Sequence, residues 1–226
     1  MGWRRARGLR EARRRAPGWN LGWPDRLSLV LSTLSPLSMS TPSLDGLAVA
    51  ILATNGFEQS ELMKPKAALE DAGATVHVVS PESGSIKGWD QKDWGDSVDV
   101  DRGLADASVD DYAALVLPGG QMNPDVLRTN QEAVAFVKAF VDAGKPVSAV
   151  CHAPWLLIEA GVAEGRRVTS WPSVSTDLKN AGAEWLDQEV VRCESGPNVL
   201  ITSRKPEDLP AFNAATIETI AQVAAA

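Results

Sequence analysis

A cysteine followed directly by a histidine, at the end of a short apolar run, is where this chain of 226 residues could do chemistry. The stretch is Pro146-Val147-Ser148-Ala149-Val150-Cys151-His152-Ala153-Pro154. Its valines read as a buried strand, and the segment after it is compatible with a helix. Cys151 therefore stands at a strand-to-helix elbow. Ala149 and Ala153, two places to either side, are small enough for a sharp turn that projects the side chain between them. Backbone N–H groups at the start of the next helix, with the positive end of its dipole, would favour a thiolate. The competing reading is a buried structural cysteine beside a helix-capping histidine.

A thiolate needs partners, and three strand ends offer them. Glu58 follows the first strand by a short loop and is the leading acid. A carboxyl group that donates to a thiolate must be protonated, so burial should raise its pKa. An acid at a helix N-terminus, interacting only with the dipole, is the alternative for Glu58. Gly119 and Gly120 follow a middle strand and let backbone N–H groups approach closely, which makes them oxyanion-hole candidates beside the N–H of His152. His152 can serve as a base if a third group holds its ring. The other histidine, His77, lies inside a predicted strand, and no paired Cys/His spacing suggests a metal. Neither a G-x-G-x-x-G fingerprint nor a P-loop occurs, so no organic cofactor is expected.

The elements that must position these groups alternate in type. Strands are expected at 47–53, 75–80, 113–117, 147–150, 167–170, 190–193 and 198–202. Helices are expected at 61–72, 131–143, from Cys151 to about Ala160, 173–181 and 206–223. Pro65 argues for a kink, or for a first helix that starts only at Met63. The acidic segment 81–111 should contain a small antiparallel excursion, pairing 86–89 with 97–101 near Trp89 and Trp94. Alternating strands and helices imply one doubly wound α/β domain over residues 43–226, whose functional groups gather at the carboxyl ends of the strands.

Composition bounds the remainder. A hydrophobic fraction of 44% and a charged fraction of 23% are those of an ordinary globular protein. Residues 1–42 carry eight arginines against Glu11 and Asp25, a net of +6, so residues 43–226 carry −13 of the overall −7. An acidic domain is not expected to seek nucleic acid or an anionic membrane. The basic segment reads as a disordered extension, or as translation from too early a start with Met39 as the natural one. An export signal fits less well, because serines and Pro36 break its apolar part. The two cysteines, Cys151 and Cys193, suit a reducing compartment, which points to the cytoplasm. Cys193, in a late strand, reads as structural.

Four motifs in order carry a family likeness: Asn55-Gly56-Phe57-Glu58-x-x-Glu61, Leu115-Val116-Leu117-Pro118-Gly119-Gly120, Val150-Cys151-His152-Ala153-Pro154, and Ser170-Trp171-Pro172 before Asn180-Ala181-Gly182-Ala183. Together they resemble the ThiJ/PfpI family of the class I glutamine amidotransferase-like superfamily, over about residues 45–205. The resemblance implies a flavodoxin-like sandwich with a mostly parallel central sheet and with Cys151 as nucleophile. It makes Glu58 the acid at the sulfur. It also implies that His152 meets an acid from a neighbouring subunit, here Asp125, so a homodimer or larger homo-oligomer completes the site. Ala153 stands where the family usually has glycine, Trp171 where it has tyrosine, and Asp125 is shorter than the glutamate of some members. The implied function is a stress-response enzyme acting on carbonyl substrates, either as a peptidase or on small reactive dicarbonyls. The alternative is a non-enzymatic oxidative-stress sensor or chaperone-like protein that uses oxidation of Cys151. Glutamine amidotransfer is disfavoured, because no late histidine occurs.

Overall fold

The structure, a computed structural model, describes residues 42–226. The expectations placed on the arginine-rich start and on Met39 lie outside these residues. In chain order, β1 (Ala48–Leu52) and β2 (Phe57–Glu58) lead into α1 (Gln59–Asp71) and β3 (Thr75–Ser80). A hairpin of β4 (Ser85–Asp90) and β5 (Asp93–Asp99) precedes β6 (Arg102–Gly103), β7 (Ala114–Leu117), α2 (Met122–Leu127) and α3 (Gln131–Asp142). The second half holds β8 (Val147–Val150), α4 (Pro154–Glu159), β9 (Arg167–Val168), α5 (Ser175–Asn180), β10 (Glu184–Trp185), β11 (Val190–Cys193), β12 (Leu200–Ser203) and α6 (Leu209–Ala224).

Seven strands form the central sheet in the order β11-β12-β8-β7-β1-β3-β6. Every neighbouring pair is parallel except β11 with β12. A parallel sheet is covered on both faces, which explains why its strands are continuous apolar runs. Along β1, Ala50 and Leu52 join the core layer that includes Phe140 and Leu156, while Val49 and Ile51 join the layer that includes Leu62 and Phe212. The chain moves outward from β1 to β3 and β6, then returns to place β7 on the other side of β1. That reversal opens a crevice at the carboxyl ends of β1 and β7, beside β8, where this class of sheet binds its ligands. The flavodoxin-like, doubly wound architecture is the one expected.

Three local expectations are corrected. First, α1 starts at Gln59 and runs through Pro65 rather than beginning at Met63. Pro65 is buried on the same stripe as Glu61 and Leu69, so packing offsets the one backbone bond that its missing N–H forfeits. Second, the stretch after Gly120, to which no element is assigned from sequence, contains α2. Third, the strand expected over 167–170 is only β9, paired with β10 in a separate two-stranded sheet. The antiparallel excursion is present, with Trp89 opposite Trp94 and their rings edge to face at 5.6 Å.

Core packing on the α3 side is aromatic. Phe140 is fully buried and meets Phe136 at 5.1 Å and Tyr112 at 6.4 Å between ring centroids. Phe140→Ala should lower the unfolding free energy by about 3–5 kcal/mol, read as a fall in the denaturant midpoint. The rate of Cys151 alkylation in the folded variant should stay unchanged, since Cys151 belongs to the other core layer.

Candidate active site

Cys151 has a φ of 64°, one of two positive values among non-glycine residues of the described chain. A side chain in that region costs about 1–3 kcal/mol and persists only where neighbours enforce it. Here its N–H donates to the Ser203 carbonyl of β12 at 3.0 Å, and its own carbonyl accepts from the Trp171 N–H at 2.9 Å. Both bonds tie the turn to segments arriving from elsewhere in the chain. The elbow is therefore set by tertiary structure, and it delivers the sulfur to the crevice.

The acid at the sulfur is Glu61 rather than Glu58. Glu58 sits at the N-cap of α1 with extended backbone, half-buried, and accepts a hydrogen bond from the Ser60 hydroxyl at 3.3 Å. Glu61 lies in the first turn of the helix, is fully buried, and couples to Cys151. The cause is helical geometry. Glu61, Pro65 and Leu69 share one buried stripe at i, i+4 and i+8, so the side chain that α1 turns into the crevice is that of Glu61. A carboxylate on an otherwise apolar helical stripe was the signal in the sequence that identifies it.

Gly119 separates the two groups. A Cβ there would stand 2.6 Å from Glu61 Oε2 and 2.7 Å from the Cys151 Cβ. Its N–H donates to Glu61 Oε2 at 2.9 Å. Gly119 is therefore committed to holding the acid and is not a free oxyanion donor, as had been expected. The N–H groups that favour a thiolate are those of Gly120 and His152.

Electrostatics set the resting state. Burial raises the Glu61 carboxyl to about 8, and the nearby charge of Glu58 adds to the effect. Burial, followed by the negative charge of Glu61, also pushes the Cys151 thiol well up. The expected low-pKa thiolate is thus corrected: α4 is a helix of only six residues, and two N–H groups do not outweigh desolvation at a side chain 6% exposed. Among the described residues Glu61 Oε1 meets no geometric hydrogen-bond partner, and the Cys151 thiol beside the carboxyl partly offsets its raised pKa. Burial lowers the pKa of His152, which keeps its ring neutral at pH 7.

Ring position supports that role. His152 Nδ1 is 3.2 Å from the Cys151 sulfur, and Nε2 is 3.3 Å from the Ser173 hydroxyl. The imidazole stacks on Trp171, with centroids 5.9 Å apart and planes at 23°. Ser173 was not singled out from sequence, because nothing local marks a serine twenty-one residues away as a partner. Asp125 is exposed on α2 and makes no hydrogen bond to His152 within the chain. A cleft of about 710 Å³ opens over Cys151, His152, Glu58, Glu61, Gly120 and Trp171. Among the described residues, no group of three or more His, Cys, Asp or Glu side chains is placed to hold a metal. Cys193 lies elsewhere. Against the upward pull of burial, the Ser195 hydroxyl at 3.1 Å, Arg166 Nε at 3.4 Å and the Arg167 N–H at 3.2 Å together lower its pKa to about 7.

An elbow cysteine flanked by an adjacent histidine and a buried helical acid, at the switch point of a parallel sheet, defines a class of nucleophile-elbow α/β proteins. The chain belongs to the DJ-1/PfpI family, whose model matches residues 48–219. It is 42% identical over 169 residues to General stress protein 18 of Bacillus subtilis, covering 74% of this chain and 94% of that one. It is 43% identical over 166 residues to Protein/nucleic acid deglycase 2 of Escherichia coli, covering 73% and 92%. Among solved structures it resembles a two-domain protein of Anabaena variabilis with DJ-1/ThiJ/PfpI-like and ferritin-like domains, at a TM-score of 0.70 and 36% identity. That match covers 76% of this chain and 47% of the other.

The raised Glu61 carboxyl has a consequence for stability. An unfolded chain ionises this group from about pH 4.5 upward, whereas the folded chain holds the proton to about pH 8. Unfolding is therefore favoured progressively across that window, by roughly 4 kcal/mol at its upper end. Comparing melting temperatures from pH 5 to 8, Glu61→Gln should lose the part of the decline that wild type shows, other groups cancelling between the two proteins.

Proposed function

We propose that this protein is a cysteine-dependent stress-response enzyme that acts on reactive dicarbonyls and on the adducts they form with amines. The observation that carries this reading is the placement of the Cys151 sulfur between neutral His152 and buried Glu61, within an open cleft. A thiol that rests protonated needs a base at the moment of attack, and His152 Nδ1 stands 3.2 Å away. As the sulfur adds to an aldehyde carbon, the carbonyl electron pair moves to oxygen, where the Gly120 and His152 N–H groups receive it. On a carbinolamine, the same sulfur displaces the amine: a C–S bond forms, the C–N bond breaks, and the amine leaves with the proton that His152 carried. Moving a proton from the aldehyde-derived carbon to the neighbouring carbonyl carbon, through an enediol, makes a thioester of a hydroxy acid. Water then cleaves it and returns the thiol, with no external oxidant or reductant.

The names deglycase and general stress protein among relatives above 40% identity support this choice over peptide hydrolysis. One of those names includes nucleic acid, so the acidic charge of residues 43–226 is not carried forward as an exclusion of nucleic-acid substrates. The sensor reading draws on a low-pKa thiol and gains no support from a sulfur whose pKa burial pushes up. No helix among the described residues is long and apolar enough to cross a membrane, and a cytoplasmic, homo-oligomeric enzyme is the form we propose. In the oligomer, Asp125 of a neighbouring copy would approach His152 beside Ser173.

Purified protein should consume methylglyoxal and release lactate. Cys151→Ala should reduce the rate to background, and His152→Gln should lower it by about 10²–10⁴-fold. Undiminished turnover by Cys151→Ala overturns the proposal. Cys151-dependent cleavage of unmodified casein, without dicarbonyl turnover, would establish the peptidase reading instead.

A further inference from the structure

Asn123 takes no part in the chemistry above, yet it is fully buried and its amide is spent entirely on backbone. Its Oδ1 accepts from the Thr54 N–H at 2.7 Å, and its Nδ2 donates to the carbonyls of Pro118 at 2.8 Å and Gly119 at 3.3 Å. Thr54 lies just beyond the end of β1, and Pro118 and Gly119 follow β7. One side chain therefore joins the two strand ends that flank the switch point.

Peptide planarity gives this clamp a chemical meaning. In a trans peptide unit the C=O and N–H point in opposite directions, so gripping the oxygen on one side aims the hydrogen on the other. Holding the Pro118 carbonyl aims the Gly119 N–H, which is the donor to Glu61 Oε2. Holding the Gly119 carbonyl, with help from the Glu58 N–H at 3.3 Å, aims the Gly120 N–H toward the Cys151–Glu61 pair. Side chains elsewhere resist rotation of a peptide plane. Between two glycines, with Gly120 at a φ of 79°, that resistance is smallest. A flipped Gly119–Gly120 unit would present a carbonyl oxygen to the sulfur in place of a donor, turning stabilisation of negative charge into repulsion.

We propose that Asn123 is a positioning residue that locks two consecutive peptide units so that their N–H groups face Glu61 and Cys151. The inference deepens the reading of Cys151 as nucleophile and rests on it, but it makes no use of any particular substrate. Asn123→Asp is the sharpest probe: it keeps volume and the acceptor for Thr54, and replaces the donor with an oxygen facing two carbonyls. Asn123→Ala removes the clamp altogether.

The test is the pH profile of Cys151 alkylation by iodoacetamide in the full chain, followed by mass spectrometry of the peptide so that Cys193 is scored separately. Both variants should shift the profile to higher pH and react at least tenfold more slowly at pH 7.5. In methylglyoxal turnover, kcat should fall by about 10²–10³-fold with little change in KM. Variants that fold with an unchanged alkylation profile overturn the proposal and leave Asn123 a purely structural residue. A shifted profile in a protein whose wild type never turns over methylglyoxal sustains the clamp and sinks the proposed substrate instead. Should both variants fail to fold, wild-type NMR decides. The Asn123 side-chain amide must exchange as slowly as core amides, and the Gly120 N–H must move as the pair ionises; fast exchange or a stationary Gly120 signal overturns the proposal.

Discussion

One buried thiol and one buried carboxyl, sharing a space that tolerates a single negative charge, set the terms for everything around them. Burial raises the proton affinity of both groups, the charge of Glu61 raises that of Cys151 further, and the hydrogen bond from the thiol partly offsets the rise at Glu61. Two such groups titrate as a unit, and the first proton they lose, on the alkaline side of neutrality, belongs to the pair rather than to either member. The surroundings answer that constraint. Consecutive N–H groups from Gly119 and Gly120 reach the pair because neither residue carries a Cβ. At Gly119 an added methyl would collide with both partners at once, so the geometry of the pair dictates a glycine there.

The sheet supplies what local sequence cannot. Cys151, Glu61 and Gly119 come from segments following β8, β1 and β7, and they meet only because β7 and β3 lie on opposite sides of β1. Register then places them at one height: Leu117 pairs with Ala149, and Ser203 with Val150, so the elbow, the Gly-Gly turn and the Ser203 carbonyl share one edge. A parallel sheet buried on both faces resists relative movement of its strand ends. That rigidity is what lets a strained φ at Cys151 persist.

Legibility in the sequence followed the range of the interaction. The elbow was readable because its signal is contiguous: a valine strand, small residues two places to either side, a histidine next door. The α/β alternation was readable for the same reason, and so was the hairpin around Trp89 and Trp94. The short loop after the first strand points to Glu58, but which acid faces the sulfur depends on where α1 begins. With the start set at Gln59, Glu61 falls on the buried stripe and Glu58 on the cap. The partnership of Ser173 with His152 depends on the chain between them folding back, with the Trp171 N–H caught by the Cys151 carbonyl. No spacing rule reaches that far.

The raised thiol and the neutral histidine explain each other. A thiolate held permanently in this crevice would carry a desolvation cost that the Gly120 and His152 N–H groups offset only in part. A resting thiol avoids that cost, and His152, kept neutral by the same burial, can take its proton once an electrophile is in place. The imidazolium so formed sits against the face of Trp171, whose π-electrons attract a cation. Tryptophan at that position offsets part of the cost that burial places on the charged form, and burial still outweighs it, because the His152 pKa is lowered overall. The nucleophile is made on demand, by a base that rests neutral and takes the proton only while the sulfur is engaged.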